Sequence, residues 1–322
     1  MRAIRYERYG GPDRLREVDL PTPVPGPDEV MVRVLASSVN SWDWDLLHGT
    51  PLITRLGGGV RRPVHPVLGA DVAGDVVAVG AGATSLAVGD RVHGDLAGAG
   101  WGGFAEFVAA PATAFRRIPE AIGYPDAAAL PQAGGLAVQG LGLGGVVAGD
   151  RVLVNGAGGG TGTLVVQLAR RAGAEVTAVD RAGKLDLLRR LGATRAIDLT
   201  DAAAGRPIDG GYDVIIELVA RRSLREYGRM LADGGRLVII GGRMRTILAA
   251  FAFGRLRGRD GRAYRVLAAR PNGGLEELDA MVAAGEVHPV IDAVLPLAST
   301  PEALARIGAG DVLGKLIIDP TR

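Results

Sequence analysis

Residues 151 to 180 read RVLVNGAGGGTGTLVVQLARRAGAEVTAVD, the stretch with the most chemistry in the chain. Ala157, Gly159 and Gly162 stand in the spacing G-x-G-x-x-G, with alanine in the first glycine's place. Small residues are needed there. A side chain at residue 159 would hold a pyrophosphate away from the backbone. The N–H groups opening the next helix, at its positive dipole end, form an anion site. The surroundings are those such a loop requires. An apolar strand, Val152 to Val154, runs in, and a helical pattern with Leu164, Val165, Leu168 and Ala169 runs out. A second apolar strand, Val176 to Val179, ends at Asp180, where an acid binds the hydroxyls of an adenosine ribose. The loop residues expected at a dinucleotide are Ala157, Gly158, Gly159, Gly160, Thr161 and Gly162. The plainer reading of the same residues is a tight turn in a nucleotide-free α/β fold.

The elements that must position this loop alternate in type. Helical patterns cover Asp126 to Leu130 and Leu136 to Leu143. Strands at 152–155 and 175–180 flank a helix at 162–172. A helix around 184–191 and strands at 196–198, 214–218 and 237–240 continue the series. Such alternation predicts a doubly wound parallel sheet. Residues 1 to about 120 differ. Short strand patterns at Met31 to Val39, Val72 to Val79 and from Gly89 onward are separated by Gly/Pro turns, which predicts a compact β-rich, barrel-like domain. The tail returns to strands, Ala293 to Leu297 and Lys315 to Asp319, with a helix near 301–307 between them. The expected domains are 1–120, 121–265 and a return over 266–322.

Composition narrows the chemistry. With 322 residues, 48% hydrophobic content and mean hydropathy +0.20, the chain can bury a large core. There is no cysteine, which excludes disulfides, thiolate nucleophiles and zinc–thiolate sites. Four histidines are scattered, so any metal would need oxygen ligands; none is expected. Basic and acidic residues nearly balance, 37 against 35, which gives no nucleic-acid footprint. No apolar run approaches the roughly 20 residues of a membrane helix. The start, MRAIRYERYG, interleaves charged and apolar residues, unlike a signal peptide, and the cytoplasm is the expected location.

Further motifs occur in a fixed order. They are Ser38-Val39-Asn40 with Asp43; Val67-Leu68-Gly69-Ala70-Asp71 with Gly74; Gly89-Asp90-Arg91-Val92; and Gly102 to Phe107. Leu130-Pro131-Gln132-Ala133-Gly134, the Gly156–Gly162 loop, Gln167-Leu168-Ala169 and Leu191-Gly192-Ala193 follow, then Asp233 to Arg236 and Gly314-Lys315. Together they span nearly the whole chain, which resembles the medium-chain dehydrogenase/reductase superfamily and, within it, the zinc-independent quinone oxidoreductase branch. The resemblance implies an α/β protein: a GroES-like β-rich catalytic domain with an inserted Rossmann domain, its last residues completing the catalytic domain. It also implies an enzyme, expected as a homodimer acting on a small molecule. The zinc alcohol dehydrogenases of this superfamily hold a catalytic metal with Cys, His and Cys, and the matching positions here are Asn40, Ala70 and Gln132. Ala70 offers no ligand, and the four-cysteine zinc lobe is missing. The chemistry left is NAD(P)H-dependent reduction of a conjugated C=C in an enone or quinone. The alternative is a recruited fold that cyclises or isomerises a biosynthetic intermediate without redox change.

Cofactor choice rests on conflicting residues. Asp180 favours NAD, whereas Arg181 and Lys184 would pair with a 2′-phosphate. Lys184 matches the lysine the zinc-free branch uses, and a tyrosine often found farther on is Leu199 here. NADPH is the expected cofactor, with NADH the alternative; Gly241, after the strand 237–240, is assigned to it as well. In the resemblance, Asn40 opens a short helix beside the nicotinamide. There it would donate to the oxygen that gains charge in the transition state; its other reading is a helix cap. Asp43 is a candidate for catalysis or for a structural acceptor. Asp45 replaces a position where related reductases often carry tyrosine. Trp42 and Trp44 are read as pocket wall or core, and His48 and His65 as proton donors or exposed structural histidines. Seven arginines between Arg243 and Arg265 are read as a solvated basic face or a lid, with Tyr264 a candidate proton donor.

Overall fold

The computed structural model describes residues 1–52, 54–55, 59–200, 208–253 and 261–322. The chain forms two compact units, residues 1–133 with 275–322, and residues 134–274. The first unit begins with β1 (Arg2–Arg5), β2 (Arg16–Asp19), β3 (Glu29–Val39), α1 (Ser41–His48), β4 (Asp71–Val79), β5 (Arg91–Asp95), β6 (Phe107–Pro111), β7 (Arg116–Arg117) and α2 (Tyr124–Ala129). The boundary falls inside α3 (Pro131–Gly144). The second unit continues with β8 (Arg151–Asn155), α4 (Gly160–Arg171), β9 (Glu175–Asp180), α5 (Leu185–Arg190), β10 (Arg195–Asp198), β11 (Tyr212–Glu217), α6 (Leu224–Met230), β12 (Leu231–Ile239), α7 (Met244–Phe253) and β13 (Ala263–Val266). The chain then returns to the first unit through α8 (Leu275–Ala283), β14 (Ile291–Pro296), α9 (Thr300–Ala309) and β15 (Lys315–Asp319).

Both unit boundaries fall later than the breaks expected at 120 and 265. At the first, α2 packs against β3 and β4 and so stays with the β-rich unit. At the second, β13 pairs with β12, and the Arg270 N–H donates to Gln139 Oε1 at 2.9 Å within the second unit.

In the first unit a mixed sheet runs β14-β15-β3-β4-β5-β7, with β6 also on β3. Alternation in β3 turns Val30, Val32 and Val34 into the core, against Val72, Val76 and Val92, while Arg33 faces outward. β15, which follows the insertion, pairs antiparallel with β3, Leu316 opposite Val39. β3 pairs with β4, Ser38 opposite Asp71, and β4 with β5, Asp71 opposite Asp95. This register sets polar residues from four strands in one row.

The second unit is a six-stranded parallel sheet in the order β10-β9-β8-β11-β12-β13. Val152, Leu153, Val154, Val214, Ile215 and Ile216 are all buried, as central strands covered on both faces require. β8 lies where the strand order reverses, so its carboxyl end is where such sheets place ligands. Among the described residues, no helix is long and apolar enough to cross a membrane.

Candidate active site and cofactor loop

The glycine loop leaves β8 at Asn155 and enters α4 at Gly160. Its tight turn is made by Gly156, at φ +83°, a region that favours glycine. That is one residue before the position expected from the motif, and it explains why alanine is accepted at 157. Ala157 is fully buried and donates its N–H to Val179 O. Gly162 serves close packing, because a Cβ there would lie 2.3 Å from Gly156 O. Gly159 is the N-cap of α4, and a Cβ there would meet nothing nearer than Gly156 O at 3.8 Å. The protein leaves this face of the loop open, as a cradle for a pyrophosphate must be.

Asp180 ends β9 and closes on the loop. Its Oδ2 accepts the Gly158 N–H and its Oδ1 the Arg181 N–H, both at 2.8 Å. Lys184 Nζ lies 3.6 Å from Asp180 Oδ1, and the lysine chain covers Gly158. The acid and its cation are thus paired before any nucleotide arrives. Arg181 is exposed. Gly241 follows β12, and a Cβ there would lie 3.1 Å from Leu218 O.

Beside the loop lies a group that sequence reasoning missed. Glu217, at the end of β11, is fully buried opposite Asn155. It accepts from Asn155 Nδ2, from the Val219 and Ala220 N–H groups, and from the Tyr227 hydroxyl at 2.7 Å. Burial, reinforced by Glu217, keeps the Tyr227 phenol protonated. Asn155 Oδ1 is buried without a hydrogen-bond partner among the described residues.

In the first unit, the row set by strand register is a buried polar network. Asp71 Oδ2 accepts Ser38 Oγ at 2.6 Å, Asn40 Nδ2 at 3.0 Å and Lys315 Nζ at 3.3 Å, and Oδ1 accepts the Gln132 N–H at 2.9 Å. Lys315 Nζ also donates to Asn40 Oδ1 at 2.5 Å and to Val39 O at 3.3 Å. Asp71 is 0%, Lys315 4% and Asn40 7% exposed, so all three are buried. Asn40 is the N-cap of α1, and Asp43 completes a capping box by accepting its N–H at 2.9 Å. The other Asp43 oxygen accepts the Gly69 N–H at 3.0 Å. Asp43 is fully buried, with both oxygens on backbone donors, and burial pushes its pKa up to about 7 against those bonds. Asp95 is likewise pushed up to about 7, first by burial and then by Asp71. Asp45 rises to about 6 on burial, with His48 acting the other way.

Other expected residues fall elsewhere. Tyr264 packs against the second unit's core, its hydroxyl 2.8 Å from where a Cβ on Gly228 of α6 would stand. His48 Nδ1 bonds Trp44 O, and its ring lies 4.0 Å from the Trp44 ring. Trp44 packs on the core while Trp42 is 47% exposed. Arg255, Arg257 and Arg259 of the basic stretch lie outside the described residues. Arg262 and Arg265 donate to the backbone oxygens of Leu231 and Leu143.

The positions matched to the zinc ligands of metal-dependent relatives are Asn40, Ala70 and Gln132. Ala70 is buried and has no donor, and the Asn40 oxygen is taken by Lys315. Among the described residues, no three His, Cys, Asp or Glu side chains converge to hold a metal.

The chain is similar to known proteins over nearly its whole length. Residues 26–120 match the alcohol dehydrogenase GroES-like domain, and residues 191–318 a zinc-binding dehydrogenase domain. A chloroplast envelope quinone oxidoreductase homolog of Arabidopsis thaliana is 32% identical over 99% of this chain and 98% of its own length. An NADPH-dependent alkenal/one oxidoreductase of the same plant is 28% identical over 99% of this chain and 80% of its own. The solved quinone oxidoreductase of Coxiella burnetii superposes with a TM-score of 0.88 at 26% identity, covering 99% of both chains. The chain belongs to the quinone oxidoreductase branch of the medium-chain dehydrogenase/reductase superfamily and is an oxidoreductase.

Proposed function

We propose that this oxidoreductase uses NADPH to reduce the conjugated C=C of an enone or quinone, without zinc. The observation that carries the reading is the Asn40 amide, fixed between a buried ammonium and a buried carboxylate where metal-dependent relatives place a zinc ligand. The names of the relatives, a quinone oxidoreductase homolog and an alkenal/one oxidoreductase, support the substrate class.

A bound reduced nicotinamide supplies the hydride. The N–H groups at the start of α4 and the open face at Gly159 receive the pyrophosphate. Lys184 neutralises Asp180, which removes the repulsion a 2′-phosphate would otherwise meet, and offers it a cation. Asn40 donates to the carbonyl oxygen, where negative charge grows as the β-carbon is reduced. The completing proton is drawn from water.

NADPH oxidation against a panel of enones and quinones tests the reading. Turnover in chelator-treated enzyme is the expected result. Tight cofactor binding with no oxidation by any acceptor would refute it and favour the non-redox alternative. The reading includes a cytoplasmic homodimer, which light scattering and cell fractionation check.

A further inference from the structure

Lys315 holds a buried ammonium among Val39, Asn40 and Asp71. Buried ion pairs are commonly replaced by apolar side chains without loss of stability, so a retained one calls for another role. Its placement is specific. β15 pairs with β3 at Leu316 opposite Val39, which brings Lys315 beside Asn40 at the strand's end. Its Nζ donates to Val39 O, Asn40 Oδ1 and Asp71 Oδ2.

An asparagine amide can sit in either of two orientations related by a half-turn. Here the neighbours admit one. The ammonium can only donate, so it takes Oδ1; the Asp71 carboxylate accepts, so it takes Nδ2. The reverse would set NH₂ against NH₃⁺ and a carbonyl against a carboxylate. One Nδ2 hydrogen is held by Asp71 at 3.0 Å. The other has only a long contact, 3.5 Å, with Ser38 O, the weakest bond of the set.

We infer that Lys315 is a positioning residue whose buried ammonium locks the Asn40 amide in the orientation that presents an N–H to the acceptor's carbonyl oxygen. The inference rests on the reductase reading above. Lys315 does not touch the substrate; it acts through Asn40, with Asp71 as the second arm of the clamp.

Lys315→Met keeps the chain length and removes the donor. The expected result is a kcat loss of about ten- to a hundredfold, as for a misplaced catalytic group, with the KM for NADPH unchanged. In an Asn40→Ala background the same substitution should change kcat no further, because its route of action is gone. Lys315→Gln, which still donates to Oδ1, should restore part of the rate. If Lys315→Met does not fold, the charge-neutral pair Lys315→Met with Asp71→Asn replaces it and should match the Asn40→Ala rate. A kcat within twofold of wild type, or losses that multiply with Asn40→Ala, would overturn the inference.

A readout without turnover separates it from the reductase reading. The side-chain amide pair of Asn40 in a ¹⁵N spectrum, assigned by its loss in Asn40→Ala, should shift and broaden in Lys315→Met. An unchanged pair overturns the clamp whatever the enzyme reduces. A changed pair in a protein that reduces nothing supports the clamp and refutes only the reductase reading.

Discussion

Two glycines of one loop, three residues apart, should fail in opposite ways. At Gly162 an added Cβ would lie 2.3 Å from Gly156 O and 2.6 Å from the Ala157 Cα, backbone atoms that cannot swing aside. Gly162→Ala gains about 0.5–1 kcal/mol of helix propensity, against roughly 1–3 kcal/mol for overpacking. A net loss of about 1–2 kcal/mol lowers Tm by about 2–8 °C. At Gly159 the nearest atom to a Cβ is 3.8 Å away, and φ −86° and ψ 176° suit any residue. Gly159→Ala gives up a cap preference of about 1 kcal/mol and recovers about 0.4–1 kcal/mol from the stiffer unfolded chain. Its Tm should barely move. Its cofactor affinity should fall at least tenfold, about 1.4 kcal/mol, because the new methyl occupies the face left to the pyrophosphate; Gly159→Val should be worse. Calorimetry gives Tm, and quenching of intrinsic fluorescence by NADPH gives Kd. A folded Gly159→Ala with wild-type affinity would refute the loop assignment, and a Gly162→Ala as stable as wild type would refute the packing argument.

Arg181→Ala with Lys184→Ala should weaken NADPH more than NADH by about 1.5–3 kcal/mol, the worth of hydrogen bonds to charged groups; equal losses in the two titrations would assign the choice to Asp180. Purified protein should carry no stoichiometric zinc by atomic emission, and a zinc lost together with activity would contradict the reading of Asn40, Ala70 and Gln132. Asp95 sits at about 7 when folded, against an ordinary 3.8. The folded state then holds the extra proton, so this stabilising contribution is full below pH 4 and lost as pH rises through 7. Urea unfolding should therefore show a shallower decline between pH 4 and 7 in Asp95→Asn, and identical slopes would show that Asp95 is ionised throughout.

The glycine loop was legible because strand, turn and helix are consecutive, and the local pattern carries the chemistry with it. Even so, the turn glycine was misplaced by one residue: spacing picks out small residues, while only backbone angles show that Gly156 makes the turn. The Lys315 network was hidden for a different reason. Its members were visible as motifs, Ala70-Asp71 and Gly314-Lys315, but nothing local says that β15 lies beside β3. Glu217 and Asn155 are likewise joined only by parallel register. Tyr264 was picked from an arginine-rich stretch by residue type alone, and strand alternation then decides which way its ring points.

Lys315 stands 275 residues from Asn40 along the chain, with the whole second unit between them. That separation sets an order of events at the ribosome. Asp43, Asp71 and Asp95 emerge early, and the unit that buries them lacks the Lys315 ammonium until the second unit has been made. The intervening parallel unit has contacts of its own and can fold during the wait, as domains do in sequence. The first unit cannot close in the same way. A ribosome stalled before residue 315 would hold a complete second unit and a first unit whose carboxylates still need protons or water. Joining β15 to β3 then comes after the second unit is made, and that pairing is what delivers the ammonium to Asn40.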